Sequence, residues 1–500
     1  MKKKYYLGLD QGTTGTTALL FDKNWNQISK GYSKVVQHYP KPGWVEHDGL
    51  QLYETLLQAT DEALRAVGAS ADEIICMGLD NQGETVIAWN KETGKPVYSA
   101  IVWQDRRTSE EVEQLNSKWK NVFLERTGLE LDSYFGATKI KWILENVEEA
   151  QRLVKQGKLM AGTLDTWFVW KMTQGKRFVT DVVTASRTCL MNLDELTWDE
   201  DLLRIMGIPR EILPEICENA TSFGVTVKEE FLGAEIPITG SIVDQQAALL
   251  GQGCTKEGGV KTTYGTGCFM LLNTGEEKPQ NPNGILSTLA YVHHGKRSYA
   301  LDGGIYISGA AVEWLQNGIK VVESPKAADD LAMSIKDNGG VYFVPAFSGL
   351  AAPYWDSYAR GMMIGITGGT TNAHLARATF EATAYQVKDI LDILKRTTIA
   401  DISSMRVDGG GSNSRFMMQF QADVLGIPVE VPKITETTGL GAAYLAALGM
   451  GEIESFEEIQ GYWKCHYTYE PQMSEDERET LIWKWHRAVE RAKNWEMAER

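Results

Sequence analysis

At 500 residues the chain is too long for one ordinary core, so two or three domains are expected. Its 43% hydrophobic and 23% charged content suit a soluble globular protein, and a net charge of -16 argues against a nucleic-acid footprint. No apolar window approaches 18 uncharged residues, so no transmembrane helix is expected, and the apolar stretch "YYLGL" before the first acid is shorter than a signal peptide needs. The six cysteines are scattered without a C-x-x-C pair, as expected of reduced thiols in the cytoplasm. The seven histidines lack H-x-x-x-H or H-E-x-x-H spacing, so no zinc site is expected.

Along the chain, "KYYLGLD" and "TTALLFD" read as two strands joined by a Gly/Thr turn. "QLYETLLQATDEALRAV" has helical apolar spacing, and "IICMGLDNQGETVIAW" reads as strand, turn, strand. "VEQLNSKWKNVFLERTG" and "IKWILENVEEAQRLV" read as helices, the first with Gly128 as its cap. "IPITGSIVDQQAALLGQG" reads as a strand entering a helix just after Asp244. From Gly258, "GGVKTTYGTGCFMLLNTG" repeats the strand, Gly/Thr turn, strand pattern of the opening. A long helix is expected from about His374 to Lys395, followed by a strand, the Gly-rich turn "DGGGSNS" and another helix. "TGLGAAYLAALGMG" predicts a helix of small residues suited to close packing. The α/β texture and the echo imply two related domains, 1–254 and 255–500, sharing a ligand cleft.

Three turns bear on chemistry. Gly12 and Gly15 permit positive φ, and the neighbouring threonines add hydroxyls, which suits an anion cradle as well as an ordinary exposed turn. "YGTGCF" and "VDGGGSNSRF" offer the same two readings, the second with a helix N-terminus beyond it. Taken together in two half-repeats, the three turns favour a nucleotide. No G-x-x-x-x-G-K-[ST] or G-x-G-x-x-G occurs, which disfavours P-loop and dinucleotide folds. Asp10 ends a strand, where an acid can hold hydrated Mg²⁺. Asp244, just before a helix, reads by itself as a helix cap.

Long motifs in one order, among them "LDQGTT", "YPKPGWVEHD", "NQGET", "DTWFVWKMTQG", "ASRT", "DQQAALLGQ", "YGTGCFMLLNTG" and "GMMIGITGGTTNAHLARATFE", resemble the FGGY carbohydrate kinases from Tyr5 to about Trp495. The resemblance implies an α/β, two-domain actin-like ATPase (ribonuclease H-like) fold with a central cleft, and a soluble cytoplasmic kinase. It implies ATP and Mg²⁺ as cofactors, and phosphorylation of a terminal hydroxyl of glycerol. Asp244 then matches the catalytic base and Asp10 the residue near the metal. Glu84, Trp103, Tyr134, Asp244, Gln245 and Phe269 match the polyol pocket. Thr13, Thr14 and Gly15 match the γ-phosphate hairpin, and Thr266, Gly309 and Gly410 match nucleotide contacts. A homodimer or homotetramer is the implied assembly, with no nucleic-acid partner and no membrane insertion.

Four positions depart from the pattern. Gly83 stands where family members that act on glycerol carry a substrate-binding Arg; loss of a charged donor costs about 1.5–3 kcal/mol unless replaced. The gap it leaves would also suit another small polyol or keto-sugar, such as erythritol, threitol or dihydroxyacetone. Thr17 replaces an Arg beside the hairpin, Glu313 replaces a Gln near the nucleotide, and Ser414 replaces an Asn. A non-catalytic nucleotide-dependent sensor is a further alternative, against which the intact Asp10 and Asp244 argue.

Overall fold

The computed structural model describes residues 3–279 and 284–496. The chain divides into two units. The first comprises residues 1–255, 288–299 and 437–462, and the second 256–287, 300–436 and 463–500. The division differs from a single cut at 254/255, because two segments of the second half belong to the first unit.

The first unit is built on a six-stranded sheet. Its strands are β1 (Tyr5–Gln11), β2 (Gly15–Phe21), β3 (Gln27–Lys34), β4 (Ile74–Asn81), β5 (Ala220–Val225) and β6 (Pro237–Val243), in the order β5-β6-β4-β1-β2-β3. Strands β1, β4 and β6 run parallel, while β2, β3 and β5 are antiparallel to their neighbours. "IICMGLDNQGETVIAW" does form two strands, but the second, Val86–Asn90, joins a separate four-stranded sheet. The helix expected over "IKWILENVEEAQRLV" is two, α1 (Gly136–Asn146) and a shorter Glu148–Lys155. Val147, extended at φ -110°, ψ 105°, breaks them apart. Gly128 caps its helix at φ +74°, as the spacing predicted.

The second unit carries a seven-stranded sheet. It contains β7 (Val260–Tyr264), β8 (Cys268–Gly275), β9 (Leu286–His293), β10 (Lys296–Ile305), β11 (Met405–Asp408), β12 (Val429–Pro432) and β13 (Cys465–Tyr469), ordered β9-β10-β8-β7-β11-β12-β13. The tip of the β9–β10 hairpin groups with the first unit. The echo seen in the sequence is physical. Each of β1–β2 and β7–β8 is an antiparallel hairpin with a three-residue turn, and its first strand pairs in parallel with a strand bearing an Asp near its end. The pairs are Asp10 with Asp80, and Thr263 with Asp408. Each unit has its own buried aliphatic cluster, one around Leu7, Leu9, Met77 and Trp167, the other around Met270, Leu301, Val387 and Met418.

One helix is wedged into the first unit by missing side chains. Gly8, Gly78 and Gly240 align across β1, β4 and β6. A Cβ on Gly8 would lie 2.0 Å from the Gly439 carbonyl oxygen, one on Gly78 1.9 Å from that of Ala442, and one on Gly240 2.5 Å from the Ala446 nitrogen. The predicted small-residue helix, Thr437–Gly449, therefore lies directly on the sheet backbone. It is equally close to the helix Asp244–Gly251, where a Cβ on Gly251 would meet the Thr437 oxygen at 1.8 Å.

Candidate active site

The parallel strands end in acids. Asp10 precedes the last residue of β1, Asp80 sits beside it in register on β4, and Asp244 directly follows β6. Asp244 is the first residue of its helix, which begins one residue earlier than expected. The cap position belongs to Val243, and the Asp244 carboxylate accepts the Gln245 amide at 2.6 Å. The helix-cap reading of Asp244 is thus replaced by an acid in the first turn.

Asp80 carried no role in the sequence reading, yet it is the most perturbed acid here. It is fully buried, and neither carboxylate oxygen meets a hydrogen-bond donor. Burial, reinforced by the Asp10 and Asp244 carboxylates, holds its pKa well above the ordinary 3.8. Asp80 and Asp10 face each other as two acceptors, a contact that becomes a hydrogen bond only with a proton between them. No sequence signal marks Asp80; only its parallel register with Asp10 does.

The opening hairpin turns through Gly12, Thr13 and Thr14, closed by the Gly12 amide on the Gly15 oxygen at 3.0 Å. Neither Gly12 nor Gly15 adopts the positive φ allowed for them. A Cβ on Gly15 would lie 2.3 Å from the ring of Tyr32, an exposed side chain that would have to shift to admit it. Among the described residues no protein acceptor takes the Thr13 or Thr14 amide, so both are available to an anion. Thr17 is buried opposite Asp10 in the β1–β2 register.

The expected polyol residues of the first unit gather beside this hairpin. The Trp103 indole N–H donates to Thr13 Oγ1 at 2.8 Å, and its ring meets Tyr134 edge-on with centroids 5.7 Å apart. Glu84 is buried and accepts the Arg187 Nε–H at 2.7 Å. The Arg187 guanidinium also lies over Phe135, 5.3 Å from its centroid. Lys139 on α1, wholly buried, donates to the Glu84 and Tyr134 carbonyls at 2.8 and 2.6 Å. Burial pushes its ammonium down to about 7, against the pull of the Glu84 charge. Lys139 thereby ties together the two loops that present Glu84 and Tyr134, a task its place in "YFGATKIKW" did not reveal.

The space beside Gly83 is not a gap. A Cβ there would lie 2.4 Å from Val243 Cγ2, so Val243 fills the root of any larger side chain. The guanidinium near Glu84 comes from Arg187 instead.

In the second unit the turn Gly265–Thr266–Gly267 joins β7 to β8. The Gly265 and Thr266 carbonyls accept amides of Ser308, Gly309 and Ala310 at the start of the helix Gly309–Glu313. Gly309 packs against the turn, where a Cβ would meet the Gly265 oxygen at 2.6 Å. Gly409 and Gly411 are held small by Tyr264, whose atoms would lie 2.5 and 2.7 Å from their Cβ positions. Gly410 faces open space. Thr266, Gly309, Gly410 and Glu313 are all exposed. The helix after the glycines, Arg415–Leu425, spends its N-terminal donors within the fold. Ser414 Oγ accepts the Met417 amide and contacts Asp329, and the Phe416 amide also goes to Asp329. The dipole expected there for a ligand is already matched by a protein carboxylate. Phe269 belongs to this unit, on β8, with its ring against Gly304.

Models of the FGGY family of carbohydrate kinases match nearly the whole chain, the N-terminal domain over residues 5–251 and the C-terminal domain over 260–450; the chain belongs to this family. It is 48% identical to glycerol kinase 2 of Thermotoga maritima and 49% identical to glycerol kinase of Petrotoga mobilis, covering 99% of both chains in each case. Among solved structures, Plasmodium falciparum glycerol kinase with ADP matches with a TM-score of 0.91 at 36% identity, over 98% of this chain and 99% of that one. The gluconate kinase of Lactobacillus acidophilus matches at 0.86 and 21% identity, which shows the shared fold. The two-domain α/β kinase fold expected from the sequence is the one found.

Proposed function

We propose that this kinase transfers the γ-phosphoryl group of ATP to a terminal hydroxyl of glycerol, giving glycerol 3-phosphate, with Asp244 as general base. The observation that carries the reading is the convergence of Asp10, Asp80 and Asp244 at the ends of adjacent parallel strands, beside a hairpin with open amides. The names of the relatives support glycerol as the acceptor.

A primary alcohol is a poor nucleophile at neutral pH. A carboxylate within hydrogen-bond reach orients it and accepts its proton as the bond to phosphorus forms. Asp244 suits that task, with one oxygen fixed by the Gln245 amide and the carboxylate half-exposed at the strand ends. Trp103 and Tyr134 offer an apolar wall, and Glu84 and Arg187 offer an acceptor and a donor for the remaining hydroxyls. Gln245 lies half-exposed next to the base. The Thr13 and Thr14 amides suit the transferring phosphoryl group, and the Trp103–Thr13 hydrogen bond ties the acceptor wall to that cradle. In the second unit, Thr266, Gly309 and Gly410 suit the nucleotide, and Gly410 is small without any demand from the protein's own packing.

The acids also fit a hydrated Mg²⁺. Asp80 is buried with no donor and Asp10 is its neighbour, so a cation near Asp10 would relieve their repulsion. When bound, the ion would neutralise phosphate charge. Where ATP is the donor, a cytoplasmic setting is proposed, and no helix among the described residues is long and apolar enough to cross a membrane. A homodimer or homotetramer is proposed for the assembly.

A different small polyol or keto-sugar was the alternative raised by Gly83. Val243 at the Gly83 site and Arg187 on Glu84 favour glycerol, because they replace both the volume and the charge. The test is ADP release over a panel of glycerol, erythritol, threitol and dihydroxyacetone. Glycerol is expected to give the highest kcat/KM by at least about tenfold, the range a site of matched hydrogen bonds provides. A four-carbon polyol above glycerol overturns the assignment, and absence of polyol-dependent turnover overturns the kinase reading.

A further inference from the structure

We propose that Glu218, His293 and His294 form a binding site for a zinc-class divalent cation on the first unit, apart from the reaction chemistry. One ligand atom from each of the three lies within 4.8 Å of the other two. The histidines are consecutive, which hides them from a search for helical spacing. They meet because His293 ends β9 and His294 turns the chain at φ +51°, bringing the two ring centroids to 3.8 Å.

Glu218 is held in place for this role. One of its oxygens accepts the His294 amide at 2.7 Å and the other accepts the Gly295 amide at 2.8 Å. A carboxylate has about four lone-pair sites, so each oxygen retains one for a cation. His293 has a buried Nδ1 with no hydrogen-bond partner among the described residues. His294 is exposed and can swing to close the site. Tetrahedral zinc, with bonds of about 2.0–2.2 Å to nitrogen and oxygen, needs its ligands drawn somewhat closer than they stand, and leaves a fourth position for water. Two imidazoles and one carboxylate favour zinc-like ions over Mg²⁺, which prefers an all-oxygen shell.

The site is wired to the sheet. Asn219, next to Glu218, exchanges bonds with the Val292 backbone and donates to Asp181 Oδ1 at 2.8 Å and to the Ser241 carbonyl at 3.1 Å. Ser241 lies on β6, the strand that leads to Asp244. A bound ion would therefore brace the β9–β10 tip against the strand behind the proposed base.

The experiment is calorimetric titration of tag-free, chelator-treated full-length protein with Zn²⁺, alongside His294→Asn and Glu218→Gln. His294→Asn changes an exposed turn residue and is expected to melt as the wild type does without metal. The wild type is expected to bind one equivalent at micromolar or better Kd and to melt higher with Zn²⁺. Both variants should weaken that equivalent at least tenfold and lose the Zn²⁺-dependent rise in melting temperature. Undiminished binding in His294→Asn, or no stoichiometric binding by the wild type, overturns the site. Should Glu218→Gln unfold, the His294→Asn comparison decides alone.

Discussion

Lys139 shows how much of this site rests on a side chain that touches no reacting atom. Its buried ammonium holds the carbonyls of Glu84 and Tyr134. Lys139→Met keeps the length but strands two buried acceptors, each worth about 1–3 kcal/mol when left unpaired. The expected result is a polyol KM raised at least about tenfold with the KM for ATP within about twofold. An equal rise in both would point to general loosening. Asp10, Asp244 and Glu84 stood out as candidates because they sit in long motifs that resemble the family's. Asp80 and Lys139 did not. The first reads as an ordinary strand end until β1 and β4 are paired, and the second reads as one more lysine on a helix. Gly83 was legible as a departure, but its consequence was not, since Val243 is 160 residues away in the chain and meets it only in the fold.

Among the elements, the helix Thr437–Gly449 is the clearest case of sequence dictating packing. Its small residues were read as suited to close approach, and the glycines it needs on β1, β4 and β6 were present but unrecognised. Strand partners are not encoded locally, so three glycines in "YLGLD", "CMGLD" and "ITGSI" could not be seen as one row. Gly78→Ala would drive a methyl into the Ala442 carbonyl at 1.9 Å, with backbone on both sides and no side chain to yield. Overpacking of this kind costs about 1–3 kcal/mol or more. Urea unfolding should show a lower midpoint with an unchanged slope, whereas an unaltered midpoint would mean that the helix does not sit on the sheet as described. The helices cut by Val147 and started at Asp244 show that element existence was readable while boundaries depended on single-residue backbone choices.

For the whole molecule, a repeated hairpin was visible in the sequence from Gly258. The return of residues 288–299 and 437–462 to the first unit was not, because contacts between segments far apart in the chain leave no local mark. Acid stability is a property of this scale, and His47 sets one part of it. Its ring is fully buried, neither nitrogen meets a partner, and burial, aided by His38, lowers its pKa from 6.5 to about 4. Between those values the unfolded chain holds a proton that the folded chain does not. Stability is therefore lost as pH falls from 6.5 to about 4, by about 3 kcal/mol from this group, and no further below. His47→Phe cannot take up that proton. Its unfolding free energy should fall less steeply over the window, by up to about 1.4 kcal/mol per pH unit, whatever its offset at neutral pH. Identical slopes would remove His47 from the acid limb.

In the proposed function, Asp244 activates the alcohol for phosphoryl transfer. Asp244→Asn keeps the shape and the contact to Gln245 but cannot accept the proton, and general-base contributions of this kind run to about 100–10,000-fold. The deciding measurement is the glycerol-dependent single-turnover rate of this variant, with ATP affinity measured in parallel. A fall of at least about 100-fold, with the Kd for ATP within about threefold of wild type, is predicted; a rate within tenfold of wild type removes Asp244 from the base role.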